Sequence, residues 1–405
     1  MWDSIPWKAW TFALNRKEAI HSRYSYIEWY SSCLVVDELE KIQNNWIEIS
    51  SLYDPFWWTG TTPLVWVQHW IQSYYSESNP FMLWVINTKI NSVKNLIDSW
   101  NWTKLLESFY SEINWKNFKF NWRNIEYWWF EKFYDTKVLY FLLEIKKEIS
   151  KVENNDVRAI LMLALSSILV PVSKMVRRWD LRYATEKELE KKSKLDVKDE
   201  FLKKLSLIIT DINNDGKSVT KKAIELSDDA RLINEENLVD CIITSPPYLN
   251  GTNYIRNTKL ELKMNDFVNN ESELPLFHSK WIVAWINNVS KRKKSDEPLD
   301  FIIPFIDRLS PVVYDERITK MIIWYFNDMN QVIRKLSKLL KDNWTFIMDI
   351  WDSQFAWVHI PTHDLLEKIC NNNWFIKYDE SILRERRSKN NMILSQRVLR
   401  FKIKK

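Results

Sequence analysis

Glycine is nearly missing from this chain. A soluble domain carries about 7% glycine, so a chain of this length would hold roughly 28; of its 405 residues, 3 are glycine. Cysteine is equally sparse. Cys33, Cys241 and Cys370 are widely separated and odd in number, which leaves no disulfide framework or zinc spacing and fits a reducing cytoplasm. No uninterrupted apolar run is long enough to cross a bilayer, and Met1-Trp2-Asp3-Ser4-Ile5-Pro6 lacks the regions of a signal peptide. A cytoplasmic protein without a membrane partner is therefore expected. Strong charge is absent too: a formal +5 and a pI near 8.7 permit nucleic-acid binding without demanding it. The five histidines form no ligand spacing, so no metal is expected.

Tryptophan is what the chain has in excess, with 24. Glycine and tryptophan together number 27, close to the count expected of glycine alone. The tryptophans also stand where glycine is physically favoured. Asn45-Trp46, Asn343-Trp344 and Asn373-Trp374 each precede a β-type run, and such turns call for positive φ, which glycine adopts freely and tryptophan does not. The expectation is a gene from a lineage that reads UGA as glycine, translated with tryptophan at those codons.

Periodicity organises the rest. Helices are expected at Leu34–Ile42, Thr62–His69, Val138–Ile149, Val157–Val170, Met321–Leu340 and Thr362–Asn371. Strands are expected at Ile47–Tyr53, Ile71–Ser76, Ala223–Leu226, Val239–Ile243, Thr345–Ile350, Phe375–Tyr378 and Gln396–Ile403. That alternation implies an α/β fold, a doubly wound and mostly parallel sheet with helices on both faces. Residues 98–215 read as a helical insertion between two parts of one domain, 1–97 and 216–405, with an irregular basic stretch at 268–318.

Two strings follow strands in this scheme. One is Asp54-Pro55-Phe56-Trp57-Trp58-Thr59-Gly60-Thr61; the other is Thr244-Ser245-Pro246-Pro247-Tyr248. Together they resemble motifs I and IV of the S-adenosylmethionine-dependent amino-methyltransferases of DNA, where the first string has glycine at the places of Trp57 and Trp58. The run Leu249–Leu262 and Asp349-Ile350-Trp351-Asp352-Ser353 are similar to the same group. The resemblance covers roughly residues 20–95 and 220–405 and implies a Rossmann-like class I methyltransferase fold with a closing antiparallel hairpin.

The resemblance implies S-adenosyl-L-methionine as cofactor, held by Asp54, Phe56, Trp57, Trp58, Gly60 and Thr61, with Glu77 on the ribose and Asp229, ahead of Asp228, on the adenine. As the sequence stands, paired indoles would fill the ligand's space. Methylating an exocyclic amine requires acceptors for its N–H protons, since the lone pair is delocalised into the ring. Ser245 and the Pro246 carbonyl fit that need, Pro246 and Pro247 stiffen the loop, and Tyr248 offers a face for an extruded base. Arg177, Arg178 and Arg182 beside an aromatic, and the run Lys291, Arg292, Lys293, are the candidate contacts to double-stranded DNA. Serine in the catalytic string favours cytosine N4. Adenine N6, a tRNA amino group and an inactive nucleic-acid-binding protein are the alternatives, and a cognate restriction endonuclease is a possible partner.

Overall fold

A computed structural model describes residues 23–24, 32–44, 48–57, 60–99, 101–120, 129–178, 180–249, 251, 254–289, 297–388 and 390–404. Its strands are β1 (Ser51–Asp54), β2 (Gln72–Ser76), β3 (Met175–Arg177), β4 (Leu181–Tyr183), β5 (Ala223–Ser227), β6 (Val239–Thr244), β7 (Leu340–Trp351), β8 (Ser353–Phe355), β9 (Val358–Ile360), β10 (Phe375–Arg387) and β11 (Ile393–Ile403). Seven of them form one sheet in the order β10-β11-β7-β6-β1-β2-β5. Neighbours from β7 to β5 are parallel, whereas β11 runs antiparallel to both β7 and β10. Strand order reverses between β1 and β6, the two strands that carry the motif loops.

Alternation along the strands puts helices on both faces. Leu52, Cys241, Ile243, Ile347 and Val398 pack with helices Ser32–Gln43 and Thr61–Gln68 on one side. Tyr53, Ile242, Phe346, Met348 and Leu399 pack with helices Arg317–Leu339 and Thr362–Asn372 on the other. The 98–215 block forms helices Trp102–Trp115, Thr136–Ser150, Asn155–Val172, Glu186–Lys192 and Val197–Asp215. Their core is continuous with Leu64, Val67 and Tyr75. The antiparallel ribbon β3–β4 interrupts this block, which periodicity alone does not reveal in three-residue strands. Asn155–Val172 is long and apolar enough to cross a membrane by length and composition; ten of its side chains are buried, eight of them within the helical core.

Two strand boundaries differ from the sequence reading for identifiable reasons. The backbone N–H groups of Ser50 and Ser51 donate to Asp240 Oδ2 at 2.8 and 2.9 Å, so a carboxylate takes the place of a ladder partner just where β1 begins. β7 starts at Leu340, and Val239 pairs with Leu340 while Cys241 pairs with Thr345, so an irregularity absorbs the extra residues. Asn343 sits in it at φ 65°. There the asparagine, not the Trp344 expected from sequence, takes the left-handed conformation. At the third Asn-Trp turn the expectation holds, since Trp374 has φ 70°; Asn45-Trp46 lies outside the described residues. Trp70 and Trp357 also have positive φ, 64° and 73°.

Candidate functional site

The two motif loops are tied together at their roots. Asp54 is fully buried at the end of β1, and its Oδ1 accepts from the Thr244 hydroxyl at 2.6 Å and from the Phe56 N–H at 3.0 Å. The first bond joins β1 to β6, and the second folds the loop back in a turn that Asp favours. Gly60 precedes helix Thr61–Gln68 with φ 90°, a conformation that costs a side-chain-bearing residue. Gly60 and Thr61 shape this entry and do not line the cleft described below.

Trp57 does not line the cleft described below. Its indole is 1% exposed and lies edge-on to Tyr75 with ring centroids 4.2 Å apart. Its ring N–H finds no acceptor among the described residues, an uncommon state for a buried tryptophan. Trp58 lies outside the described residues. Asp54, expected on the cofactor, holds the loop instead.

Above this base a cleft of about 450 Å³, its solvent mouth included, opens across the ends of four strands. Pro55 and Phe56 come from β1, Ser76, Glu77 and Ser78 from β2, Asp228, Asp229 and Ala230 from β5, and Pro247 from the loop after β6. Lys280, Trp281 and Ile282 close the far wall. Its place at the strand-order reversal is where open α/β sheets bind ligands. Glu77 is half-buried, with Oε1 accepting from the Asn79 N–H at 2.7 Å. Asp229 presents a carboxylate already paired with Arg231, Oδ2 to Nη2 2.7 Å, and Arg231 bridges on to Asp328 at 3.0 Å. Asp228 is half-buried and ion-paired with Lys280. The wall formed by Lys280–Ile282 was invisible in the sequence, since it lies in a stretch without periodicity.

The Ser245–Tyr248 loop is buried throughout. Ser245 Oγ donates to the Tyr248 hydroxyl at 3.0 Å, and that hydroxyl donates to Asp349 Oδ2 at 2.9 Å. Gln396 Nε2 donates to both Asp349 oxygens at 2.8 and 2.7 Å, while its Oε1 accepts from Arg384 Nε. Arg384 thereby fixes which way the Gln396 amide faces. Burial pushes the Asp349 carboxyl up to about 6, against the downward pull of the bonds from Gln396 and Tyr248. The open stacking face expected of Tyr248 is not at the surface. The side chain is 4% exposed and packs in one cluster with Ile282 and Val283. Asp349 stood within a quoted string but without a role, and Gln396 had no signal in the sequence.

The expected nucleic-acid residues divide. Arg177 is no surface contact: its Nη2 pairs with Glu261 at 2.6 Å and donates to the Asn257 carbonyl at 2.6 Å, clamping the β3–β4 ribbon to the segment beyond the Ser245–Tyr248 loop. Arg178 is exposed, 3.6 Å from Glu188, and Arg182 grips the same Glu188 through two bonds of 2.9 Å. Lys291, Arg292 and Lys293 lie outside the described residues. Of the histidines, His363 pairs with Asp352 at 3.0 Å just beyond β7, a role that spacing did not show. No known protein-family model matches the chain, and no curated protein matches it.

Proposed function

We propose that this protein transfers a methyl group from S-adenosylmethionine to an exocyclic amine of a base in double-stranded DNA, with cytosine N4 as the acceptor. One observation carries the reading: the two loops that resemble methyltransferase motifs leave neighbouring parallel strands at the reversal of strand order, and a cleft opens beside them. The residues present fit the cofactor. Glu77 offers a carboxylate for ribose hydroxyls at the end of β2, Phe56, Trp281 and Ile282 supply apolar walls, and Asp228 and Asp229 line the end suited to an adenine amine. The bound cofactor would supply an electrophilic sulfonium methyl.

The chain's own residues would do the rest. Ser245 has one proton, and Tyr248 and the Asp349 carboxylate both stand where they can take it; toward a target amine Ser245 Oγ then acts as an acceptor. The direction of the Ser245–Tyr248 bond is set by Asp349, whose ionised carboxylate makes the Tyr248 hydroxyl a donor. The Pro246 carbonyl is a second acceptor on a loop whose φ angles are fixed. Two acceptors on the amine protons hold nitrogen in line with the methyl, and positioning of this kind supplies much of the rate. Because Ser245 is fully buried, an extruded base reaches it only when the cover near Ile282 and Val283 is displaced.

The test is transfer of labelled methyl from S-adenosylmethionine to duplex DNA, with N4-methylcytosine in the digest as the expected product. It is run on the chain as it stands and on Trp57→Gly/Trp58→Gly, with calorimetry of cofactor binding beside it. Label in N6-methyladenine would change the base, and label in tRNA but not in duplex DNA would overturn the substrate. Failure of both chains to bind cofactor would sink the reading.

A further inference from the structure

β7 runs parallel to β6, so its last residue, Trp351, lies at the sheet edge that carries the catalytic loop. Gln396 of β11 pairs with Trp351, and Arg384 of β10 pairs with Gln396. Beyond this row Ser395, opposite Glu385, still accepts from the Asp352 N–H at 3.0 Å, and the hairpin then continues with Arg386 opposite Leu394 and Arg387 opposite Ile393. It therefore overshoots the edge of the sheet beside the Ser245–Tyr248 loop. Its turn is held by the Ser388 N–H donating to the Met392 carbonyl at 2.8 Å.

Three of the four residues Arg384–Arg387 are arginines, and their surroundings set them apart. Arg231, Arg317, Arg397 and Arg400 each pair with a carboxylate. Arg384, Arg386 and Arg387 have none within ion-pair distance among the described residues. Arg384 and Arg386 instead lie against the same indole, 5.2 and 5.0 Å from the Trp351 ring. Burial and the neighbouring charge of Arg384 both lower the pKa of Arg386. Two guanidiniums crowded on one indole, with Asp349 a nearby opposite charge for Arg384 but no carboxylate in ion-pair contact with either, are favoured by an anion beside them. Glu385 alternates to the other face of the strand together with Arg387, which stands next to the turn, exposed, and donates to Asn391 Oδ1 at 2.8 Å. Strand register, not the indole, fixes where these arginines stand, so the arrangement survives with glycine at 351. The catalytic chain is two bonds away, since Arg384 holds Gln396 and Gln396 holds Asp349.

We infer that the exposed end of the β10–β11 hairpin, through Arg384, Arg386 and Arg387, binds the phosphate backbone of duplex DNA next to the target base. This rests on the proposed methyl transfer to DNA. Planar, bidentate guanidiniums suit phosphate oxygens, and a hairpin at this edge meets the duplex as a base enters the site.

The experiment measures affinity for a duplex oligonucleotide by fluorescence anisotropy across a salt series, without cofactor. Arg386→Glu/Arg387→Glu is compared with wild type and with Lys335→Glu/Lys338→Glu, an equal charge change where helix Arg317–Leu339 ends, at the opposite sheet edge. The hairpin pair should weaken binding about 10-fold or more at low salt and reduce the slope of log affinity against log salt by about 2. The remote pair should leave the slope near wild type, and Arg386→Gln/Arg387→Gln should show a smaller loss of the same kind. Equal effects of the hairpin and remote pairs would reduce the result to net charge and overturn the proposal. So would an unchanged slope, no wild-type binding to duplex DNA, or a loss confined to RNA. Arginine-dependent binding without methyl transfer would leave the surface standing and condemn the catalytic reading instead.

Discussion

Trp70, Trp357 and Trp374 hold left-handed backbone while their side chains stand 71%, 71% and 68% exposed. Each carries the steric cost of a Cβ in that region, on the order of 1–2 kcal/mol, with no burial to offset it. Replacing any of the three by glycine should raise stability by about 0.5–1 kcal/mol, after allowing for the looser unfolded chain. Trp66 is different, being helical and fully buried; Trp66→Gly should cost about 3–5 kcal/mol. Urea denaturation of the four variants decides the matter, and destabilisation by all four would show that these residues are native to their places. The same division is what UGA codons at 70, 357 and 374 would produce. UGG codons there would remove that explanation.

Asp349 is the second residue whose behaviour follows from its setting. Ionised, it can only accept from Tyr248, and burial has moved its pKa to about 6. Below that pH a protonated carboxyl can donate, and the direction of the Ser245–Tyr248 chain is no longer fixed. The groups facing it are Gln396, Tyr248, Ser245 and, as the nearby charge, Arg384. Methyl transfer should therefore fall as pH drops through about 6. Asp349→Asn should lower kcat at pH 8, leave cofactor affinity nearly intact and abolish that acid limb; a variant that keeps the limb would remove Asp349 from the chain. Stability moves in the opposite sense. A raised folded pKa contributes stability that is fully present below the unfolded value near 4 and lost as pH rises through about 6, so Asp349 cannot cause acid unfolding.

Among elements, the helix Ser32–Gln43 depends on one buried pair. Glu38 meets Arg400 of β11 through bonds of 2.6 and 2.7 Å, both side chains at least 95% shielded. Glu38→Ala leaves a guanidinium buried with only Asp379 and Ser381 beside it, and should cost about 3–5 kcal/mol. Adding Arg400→Met should recover most of that loss; melting curves that show no recovery would place the cost in the helix itself. Elements of this kind were readable from sequence because period-2 and period-3.6 patterns report burial directly. Cys241 and Ile243 against Ile242 is a clear instance. The pairs that lock elements were not, because Glu38 and Arg400 are polar residues whose burial only the assembled sheet creates. Arg177 was misjudged for the same reason: three arginines near an aromatic look exposed until Glu261 arrives from a distant segment.

Over the whole molecule, the cleft was legible where it is built from strand ends, which is why Phe56, Glu77, Asp229 and Pro247 meet in it. It was not legible where tertiary register decides, as with Gln396 and the wall at Lys280–Ile282. The central strand pair has a further consequence. Leu52 pairs with Cys241 and Tyr53 with Ile242, so the middle of the sheet is closed by chain that arrives nearly 190 residues later. During synthesis β1 can find β2 at once, but its other edge stays unpaired until the entire helical block has been made. Open edges of apolar strands are templates for association, and contacts this distant in sequence form slowly. The nascent chain is thus most prone to self-association while the helical block is emerging, and the cleft between the two motif loops is complete only after that interval has passed.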